Sequence, residues 1–363
     1  TLPMMFQYIF RRIIAAVPVL FGILLVTFIL ARVIPGDPCR AILGEKATEE
    51  VCSRFIQEKG LDKPIITQFG IYVKDMLSGN LGESFRLGLP VSRLLIERLP
   101  TTFELSLSAL IISMIFGIPL GIISAVKHNS WLDVITMVWA NIGVSMPVFW
   151  LGLMLAYVFS LLLKDTPFWL PPSGRISPGI PDDTFYELWG WTVPETGLWA
   201  AFLEFAGRLN ILNALLTQNW ELLKDAVMHL ILPAFALGTI PMAIIARMAR
   251  SAMLDVLGQD YIRAARAKGL SKTSVVLKHA FRNSLLPLVT VIGLSFGSLL
   301  GGAVLTETIF GLSGVGRTLY EAITARDYGI VQVFTLVIAF VFVVINLIVD
   351  VSYAYLDPRV RLN

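Results

Sequence analysis

The chain has 363 residues, of which 56% are hydrophobic and only 15% charged, and its formal net charge is +3. A soluble domain is closer to a quarter charged, and here the apolar residues collect into charge-free runs, so one large soluble core is excluded. The net charge is too small to point at a partner; its distribution along the chain carries the information.

The first apolar run, Ile13 to Ala31, follows Arg11 and Arg12 as the core of a signal peptide would. It exceeds the roughly 7–15 residues of such a core, and the turn sequence IPGDP follows it in place of a small-x-small cleavage pattern. It reads as a retained helix. Five further runs lack Asp, Glu, Lys and Arg: Leu105 to Val126, Val134 to Leu163, Ala226 to Ala246, Ser284 to Thr306 and Tyr328 to Val349. A hydrocarbon core about 30 Å thick needs roughly 20 helical residues, so six transmembrane helices are predicted. The third run is the longest and is expected to tilt or to extend beyond the membrane. Pro18, Pro119, Pro147, Pro233 and Pro241 fall inside runs, where neighbouring helices can satisfy the freed carbonyls. Gly117, Gly121, Gly293, Gly297, Gly301 and Gly302 would permit close helix approach.

Lysine and arginine in the short connections orient the spans. Arg11 and Arg12, Lys127 in KHNSWLD, the segment Arg247 to Asn283 with eight basic and two acidic residues, and the tail with Arg359 and Arg361 all fall on one side. That side is expected to be cytoplasmic, with both termini. The other side receives residues 32–104, with ten basic and ten acidic residues, and residues 164–225, with four basic and eight acidic residues and five tryptophans. Long loops translocate regardless of charge, so the first does not upset the assignment.

The chain offers little catalytic chemistry. His128, His229 and His279 are isolated and there is no H-E-x-x-H, so neither a metal nor another cofactor is expected. His229 suits a hydrogen-bonded packing role within its span. The stretch GLSGVGRT (311–318) imitates a phosphate-binding loop with arginine in place of lysine, yet it joins two spans and lacks the strand and helix of a soluble ATPase core. Its G-L-S-G is similar to the serine motif of six-span intramembrane proteases. Such a protease needs a base within reach of the serine, on a helix after it, and no histidine follows Ser313. A glycine-rich turn is the better reading, and an enzyme is not expected.

That leaves the basic segment YIRAARAKGLSKTSVVLKHAFRNSLLP (261–287) as the main clue. Alanines 264, 265 and 267 favour a helix over Asp260 to Lys268, Gly269 is a natural stop, and Ser271 can cap a second helix. The second helix is expected to present Val276, Leu277, Ala280 and Phe281 on one side. Such a segment suits either an anionic lipid surface or a groove on a cytoplasmic partner.

The segment resembles the cytoplasmic EAA loop of ABC-importer permease subunits, most closely the B-type permeases of the dipeptide/oligopeptide/nickel branch. The resemblance covers nearly the whole chain: IPGDP (34–38), GLDKP (60–64), GNLGES (79–84), GIPLGIISAVK (117–127), SMPVFWLG (145–152), PPSGR (171–175), LGTIPMAIIARMARSAML (237–254), DYIRAARAKGL (260–270), RNSLLPLVTVIGL (282–294), GGAVLTETIF (301–310), ARDYGIVQ (325–332) and DPRVR (357–361). Arg263 stands where glutamate is usual in the wider family, and Leu286–Pro287 comes late; both look like the peptide-branch variant.

The resemblance implies an all-α polytopic membrane protein with the type I ABC importer permease fold and long external loops. It implies an N-terminal span (1–33), an external loop (34–95), a permease core (96–350) with an external insertion at 164–225 and a coupling loop at 247–283, and a cytoplasmic tail (351–363). The implied partners are a second, similar permease in a heterodimer, two cytoplasmic ATPase subunits, an external solute-binding protein and the lipid bilayer, with no nucleic acid. The implied cargo is a di- or oligopeptide; relatives for nickel, glutathione and oligosaccharides leave those open. ATP would be hydrolysed by the partners. Ala264, Ala265, Lys268, Gly269, Leu270 and Ser271 would couple to the ATPases, with the two alanines leaving room for a partner groove. Asn141, Ser145, Met146, Ser295 and Ser298 would line the path, although interhelical hydrogen bonding explains the polar ones nearly as well.

Two further expectations concern the external segments. Cys39 and Cys52 both lie in the first, where a disulfide across a loop or short helix is feasible and would contribute roughly 3 kcal/mol; two free thiols are the alternative. The segment 164–225 suits a cap over the membrane surface, with Tyr186, Trp189 and Trp191 near the interface. It either enlarges the docking surface for a binding protein or covers this chain alone.

Overall fold

A computed structural model of the chain describes residues 2–33, 39–40, 47–58, 60–194 and 197–356. IPGDP (34–38), residues 41–46 between the two cysteines, and DPRVR (357–361) with Arg359 and Arg361 lie outside them. The described residues are mostly helical and form no strand, only an isolated bridge between Glu83 and Pro90. Among the described residues five helices are long and apolar enough to cross a membrane, six if a pair bent by 98° counts as one span. The fold is the expected all-α polytopic one.

Helix α1 (Leu2–Val33) packs along α15 (Tyr328–Leu356), outside the remaining bundle. Arg12 reaches Asp350 at 3.2 Å, which places the start of α1 beside the end of α15. The flank of α1 carrying Ile13, Val17 and Phe21 is exposed, as a lipid-facing surface must be.

Two helices form the centre: α4 (Val91–Val126) and α10 (Trp220–Leu257). Their 36 and 38 residues make them about 54 and 57 Å long, more than a bilayer core. They touch along a glycine seam. A Cβ on Gly117 would sit 2.7 Å from the Met242 carbonyl, and one on Gly121 would sit 2.5 Å from that of Ala246. Only glycine allows the backbones this close. Ser113 spans the same contact, donating to Gly238 O at 2.7 Å. Gly293 and Gly297 similarly meet Val349 and Phe342, whereas a Cβ on Gly301 would reach only Ile338, at 3.9 Å, and one on Gly302 nothing within 4 Å, so neither mediates a close approach.

The third apolar run departs from expectation. It is neither one tilted helix nor one overlong helix. Helix α5 (Trp131–Ser145) ends at Met146, and α6 (Val148–Leu162) leaves at 98° to it. Pro147 lacks an amide hydrogen and forces the preceding residue out of the helical region; Met146 sits at φ −97°, ψ 134°. Pro119, Pro233, Pro241 and Pro287 remain inside helices.

At the end where α10 passes into the basic segment, α11 (Asp260–Ala267) precedes α12 (Lys272–Gly302). At the opposite end, α2 (Glu49–Glu58) and α3 (Ile65–Leu77) lie beside α1 and α15; Phe69 of α3 makes edge contacts with Phe21 and Phe28 at 5.8 and 5.0 Å. Cys39 and Cys52 are joined by a disulfide, and α2 holds the second of them. The first half of α4 runs through the expected boundary at 95/96, because Val91, Leu94 and Leu95 pack with Val315, Ala322 and Phe334. Three short helices, α7 (Phe185–Leu188), α8 (Leu198–Gly207) and α9 (Asn210–Thr217), form the cap around Phe185, Leu203 and Ala206. Buried Glu104 of α4 anchors it by accepting from Arg175 Nη2 at 2.8 Å and Ile211 N at 2.7 Å. Helices α13 (Val304–Ile309) and α14 (Val315–Thr324) complete this end.

Candidate functional site

The basic segment is a short helix, a glycine stop and a long helix. Asp260 sits in the first turn of α11 and Arg266 in the last, each favourable to the helix dipole. The stop is a Schellman turn: Gly269 N–H donates to Arg266 O at 3.0 Å and Leu270 N–H to Ala265 O at 3.4 Å. Gly269 holds φ at +77°, a region that side-chain-bearing residues avoid. Ser271 then caps α12, accepting from Ser274 N at 3.3 Å.

Helix α12 does not form a separate knob. It runs without a break from Lys272 into the membrane to Gly302, with a π-helical stretch at Val275–Phe281. That wider winding shifts the phase of the side chains. Val275 and Ala280 are buried and Leu277 is exposed, so the expected apolar side of Val276, Leu277, Ala280 and Phe281 is only partly realised.

Ile262 and Ala265 are one turn apart on the inner face of α11. They pack with Met253 of α10, Ala125 of α4, and Val275 and Ala280 of α12. Ala265 therefore seats the segment on this chain's own core. Ala264, Lys268, Gly269, Leu270 and Ser271 lie on the exposed side with Arg263 and Arg266. Asn283 Nδ2 donates to Tyr261 Oη at 2.8 Å and ties the two helices again.

Behind this segment lies a charged cluster that sequence reading missed. Arg250 of α10 donates to both carboxylate oxygens of Asp133 on α5, from Nε and Nη2, each at 2.9 Å. Asn129 N–H donates to Asp133 Oδ2 at 3.0 Å, and the Ser124 hydroxyl of α4 donates to Oδ1. One turn earlier, Arg247 Nη1 donates to Asn141 Oδ1 at 2.5 Å. The cluster joins α4, α5 and α10. No local pattern announces it, because Asp133 and Arg250 are 117 positions apart.

The five path candidates do not share one cavity. Asn141, Ser145 and Met146 line an apolar cavity of about 490 Å³ with Val134, Met137 and Ile142. Ser295 and Ser298 line another, of about 370 Å³, with Ile240, Ile244, Leu294 and Leu305. The second also contains Val148, the first residue of α6, so the break at Pro147 delivers α6 to its edge.

GLSGVGRT surrounds a carboxylate of this chain. Buried Glu307 accepts from the Thr102 hydroxyl at 2.6 Å and from Arg317 N–H at 2.8 Å, while Thr102 Oγ1 accepts from Val315 N–H at 2.8 Å. A Cβ on Gly314 would collide with that carboxylate. Glycine is needed there to admit an internal carboxyl group, and burial raises that group to about 7. His229 hydrogen-bonds through Nδ1 to Asp225 O at 2.9 Å, and the Asp225 carboxylate accepts from Ser177, which makes the histidine part of the cap's attachment. Among the described residues no group of three or more His, Cys, Asp and Glu side chains could hold a metal.

Comparison with known proteins bears directly on this geometry. The family described as "Binding-protein-dependent transport system inner membrane component" matches residues 117–362, and "Binding-prot-dependent transport system membrane comp, N-term" matches residues 5–108. The chain is similar to the dipeptide transport system permease protein DppB of Alkalihalophilus pseudofirmus, at 44% identity over 98% of this chain and 100% of that protein. It is also similar to the di/tripeptide transport system permease protein DppB of Pseudomonas aeruginosa, at 43% over 98% of this chain and 99% of that protein. The dipeptide transport system permease protein DppB of Escherichia coli K12 is 42% identical over the same shares.

Proposed function

The chain belongs to the family of binding-protein-dependent transport system inner membrane components, and from that premise we propose that it forms half of a path importing di- or oligopeptides. A second, similar permease forms the other half, two cytoplasmic ATPase subunits bind the basic segment, and an external binding protein delivers cargo. Both termini and the basic segment face the cytoplasm. The chain itself performs no hydrolysis.

The observation that carries the coupling role is the seating of α11. Its inner face is fixed by Ile262 and Ala265, while its outer face, with Arg263, Ala264, Arg266 and Lys268, is free for an ATPase groove. A push on α11 is passed through Met253 to α10 and through Val275 and Ala280 to α12. Both helices continue unbroken across the membrane. The grip of Arg250 on Asp133 carries α5 with them. The walls bearing Asn141, Ser145, Ser295 and Ser298 therefore move together, and the apolar face around Ser298 is the one that the second permease completes.

The test is ATP-driven peptide uptake by the complex reconstituted in proteoliposomes. Substitutions on the outer face of α11, such as Ala264→Trp, should abolish uptake and binding-protein-stimulated ATP hydrolysis while the spans remain inserted. Normal uptake by such a variant would reject the coupling role.

A further inference from the structure

The outer ends of α1 and α15 and one face of α3 enclose a cavity of about 520 Å³, lined by none of the path candidates. Its lining includes Arg32, Gln68, Tyr72 and Asp75, with Gln332 from α15 and Glu58 from the end of α2. Three of these are hydrogen-bond donors short of acceptors. Gln332 is only 4% exposed, and its Nε2 has no hydrogen-bond partner among the described residues. The Tyr72 hydroxyl is buried and unpartnered in the same way. Arg32 lies 3.5 Å over the Phe28 ring and gives its Nε to Gln68 at 2.7 Å, with no carboxylate in ion-pair contact among the described residues. Buried donors and a half-buried cation without a carboxylate are costly unless something supplies acceptors.

The cavity also offers the opposite sign. Asp75 lies three residues after Tyr72, so both occupy one face of α3, and Gln68 lies one turn before them. Neither Asp75 nor Glu58 has an ion-pair partner among the described residues. The lining thus combines hydrogen-bond donors with carboxylates, and Lys63 and Glu83 also border it.

Its surroundings are those of a membrane surface. Ile66 and Leu77, near the two ends of α3, are 87% and 84% exposed, and Val26, Ile29 and Leu30 are exposed on the adjoining turns of α1. Soluble surroundings disfavour such groups; acyl chains do not. We propose that this cavity holds the headgroup of a phospholipid of the phosphoethanolamine class, its phosphodiester on Arg32, Tyr72 and Gln332 and its ammonium toward Asp75 and Glu58. The lipid would mortar α1, whose main packing among the spans is against α15, to the rest of the chain.

Native mass spectrometry of the assembled transporter, titrated with phosphatidylethanolamine, phosphatidylglycerol or inorganic phosphate, tests this. The wild type should retain phosphatidylethanolamine about tenfold over phosphatidylglycerol. R32Q and Q332L should each lose that retention about tenfold. D75N should keep phospholipid but lose the preference between the two headgroups. If R32Q fails to assemble, Q332L decides, because leucine keeps the bulk and removes only the amide. Equal retention in wild type and Q332L overturns the proposal, and so does equal wild-type binding of the two lipids. Displacement of phosphatidylethanolamine by inorganic phosphate would reassign the cavity to a soluble anion and also overturn it.

Discussion

Arg250 holds Asp133 with two parallel hydrogen bonds of 2.9 Å, across 117 positions of sequence and between two membrane helices. The carboxylate is saturated by Ser124 and the Asn129 amide as well, so its place in the fold is fixed by four donors. Removing one member of a largely buried pair strands the other, at a cost on the order of 3 kcal/mol. Asp133→Asn should therefore lower the melting temperature of the purified complex and reduce uptake. The exchanged pair Asp133→Arg with Arg250→Asp should not restore it, because Ser124 and Asn129 need an acceptor at position 133. Full recovery by the exchange would mean that only the net attraction matters.

Gly269 meets nothing within 4 Å where a Cβ would be, so its requirement is purely one of backbone conformation. Valine at φ +77° is strained by ~1–2 kcal/mol, whereas asparagine visits this region more readily. Gly269→Val should uncouple uptake from ATP hydrolysis, and Gly269→Asn should retain a substantial part of both. A full loss with asparagine would point to a contact at this position.

Ala265 gives a different expectation. It is buried against Met253, Val275 and Ala280, so Ala265→Leu overpacks this chain's own core by about 1–3 kcal/mol. Limited proteolysis of the isolated permease, without ATPases, should reveal a loosened basic segment. Protection equal to the wild type would return Ala265 to a partner-facing role.

Glu307 has a folded value near 7 against an ordinary 4.5, through burial. The folded state therefore binds its proton more tightly than the unfolded one. The resulting stabilisation, ~3 kcal/mol, is fully present below 4.5 and is lost as pH rises through about 7. The wild-type melting temperature should fall between about pH 5 and 8 by more than that of Glu307→Gln. Parallel curves would show that this carboxyl does not titrate in that interval.

The cap exposes Trp199 and Phe202, stacked at 5.6 Å, while Phe185, Leu203 and Ala206 hold it together. Trp199→Ser with Phe202→Ser leaves that small core intact. If the cap docks the binding protein, the pair of changes should weaken association of loaded binding protein about tenfold. Unchanged affinity would assign the cap to this chain alone.

The membrane class, the crossings and the ends of the basic helix were legible in the sequence because they rest on local rules. A charge-free run of span length has few soluble alternatives, a Gly after an alanine-rich helix stops it, and Ser271 caps the next helix. Even the break at Met146 had its signal in Pro147, but a proline inside an apolar run is as often kept within a helix, as Pro119 and Pro233 are here. What only the tertiary structure decided are the long-range pairings. The inward direction of Ala265 depends on where α10 and α12 stand, not on α11. The glycines of GLSGVGRT do make a turn, but Gly314 is there to admit the Glu307 carboxyl group and Gly316 to clear the Val304 backbone. Asp133 with Arg250, and Glu104 with Arg175, carry no sequence signature at all. Each is an ordinary charged residue until another helix brings its partner, and burial then makes that partner obligatory.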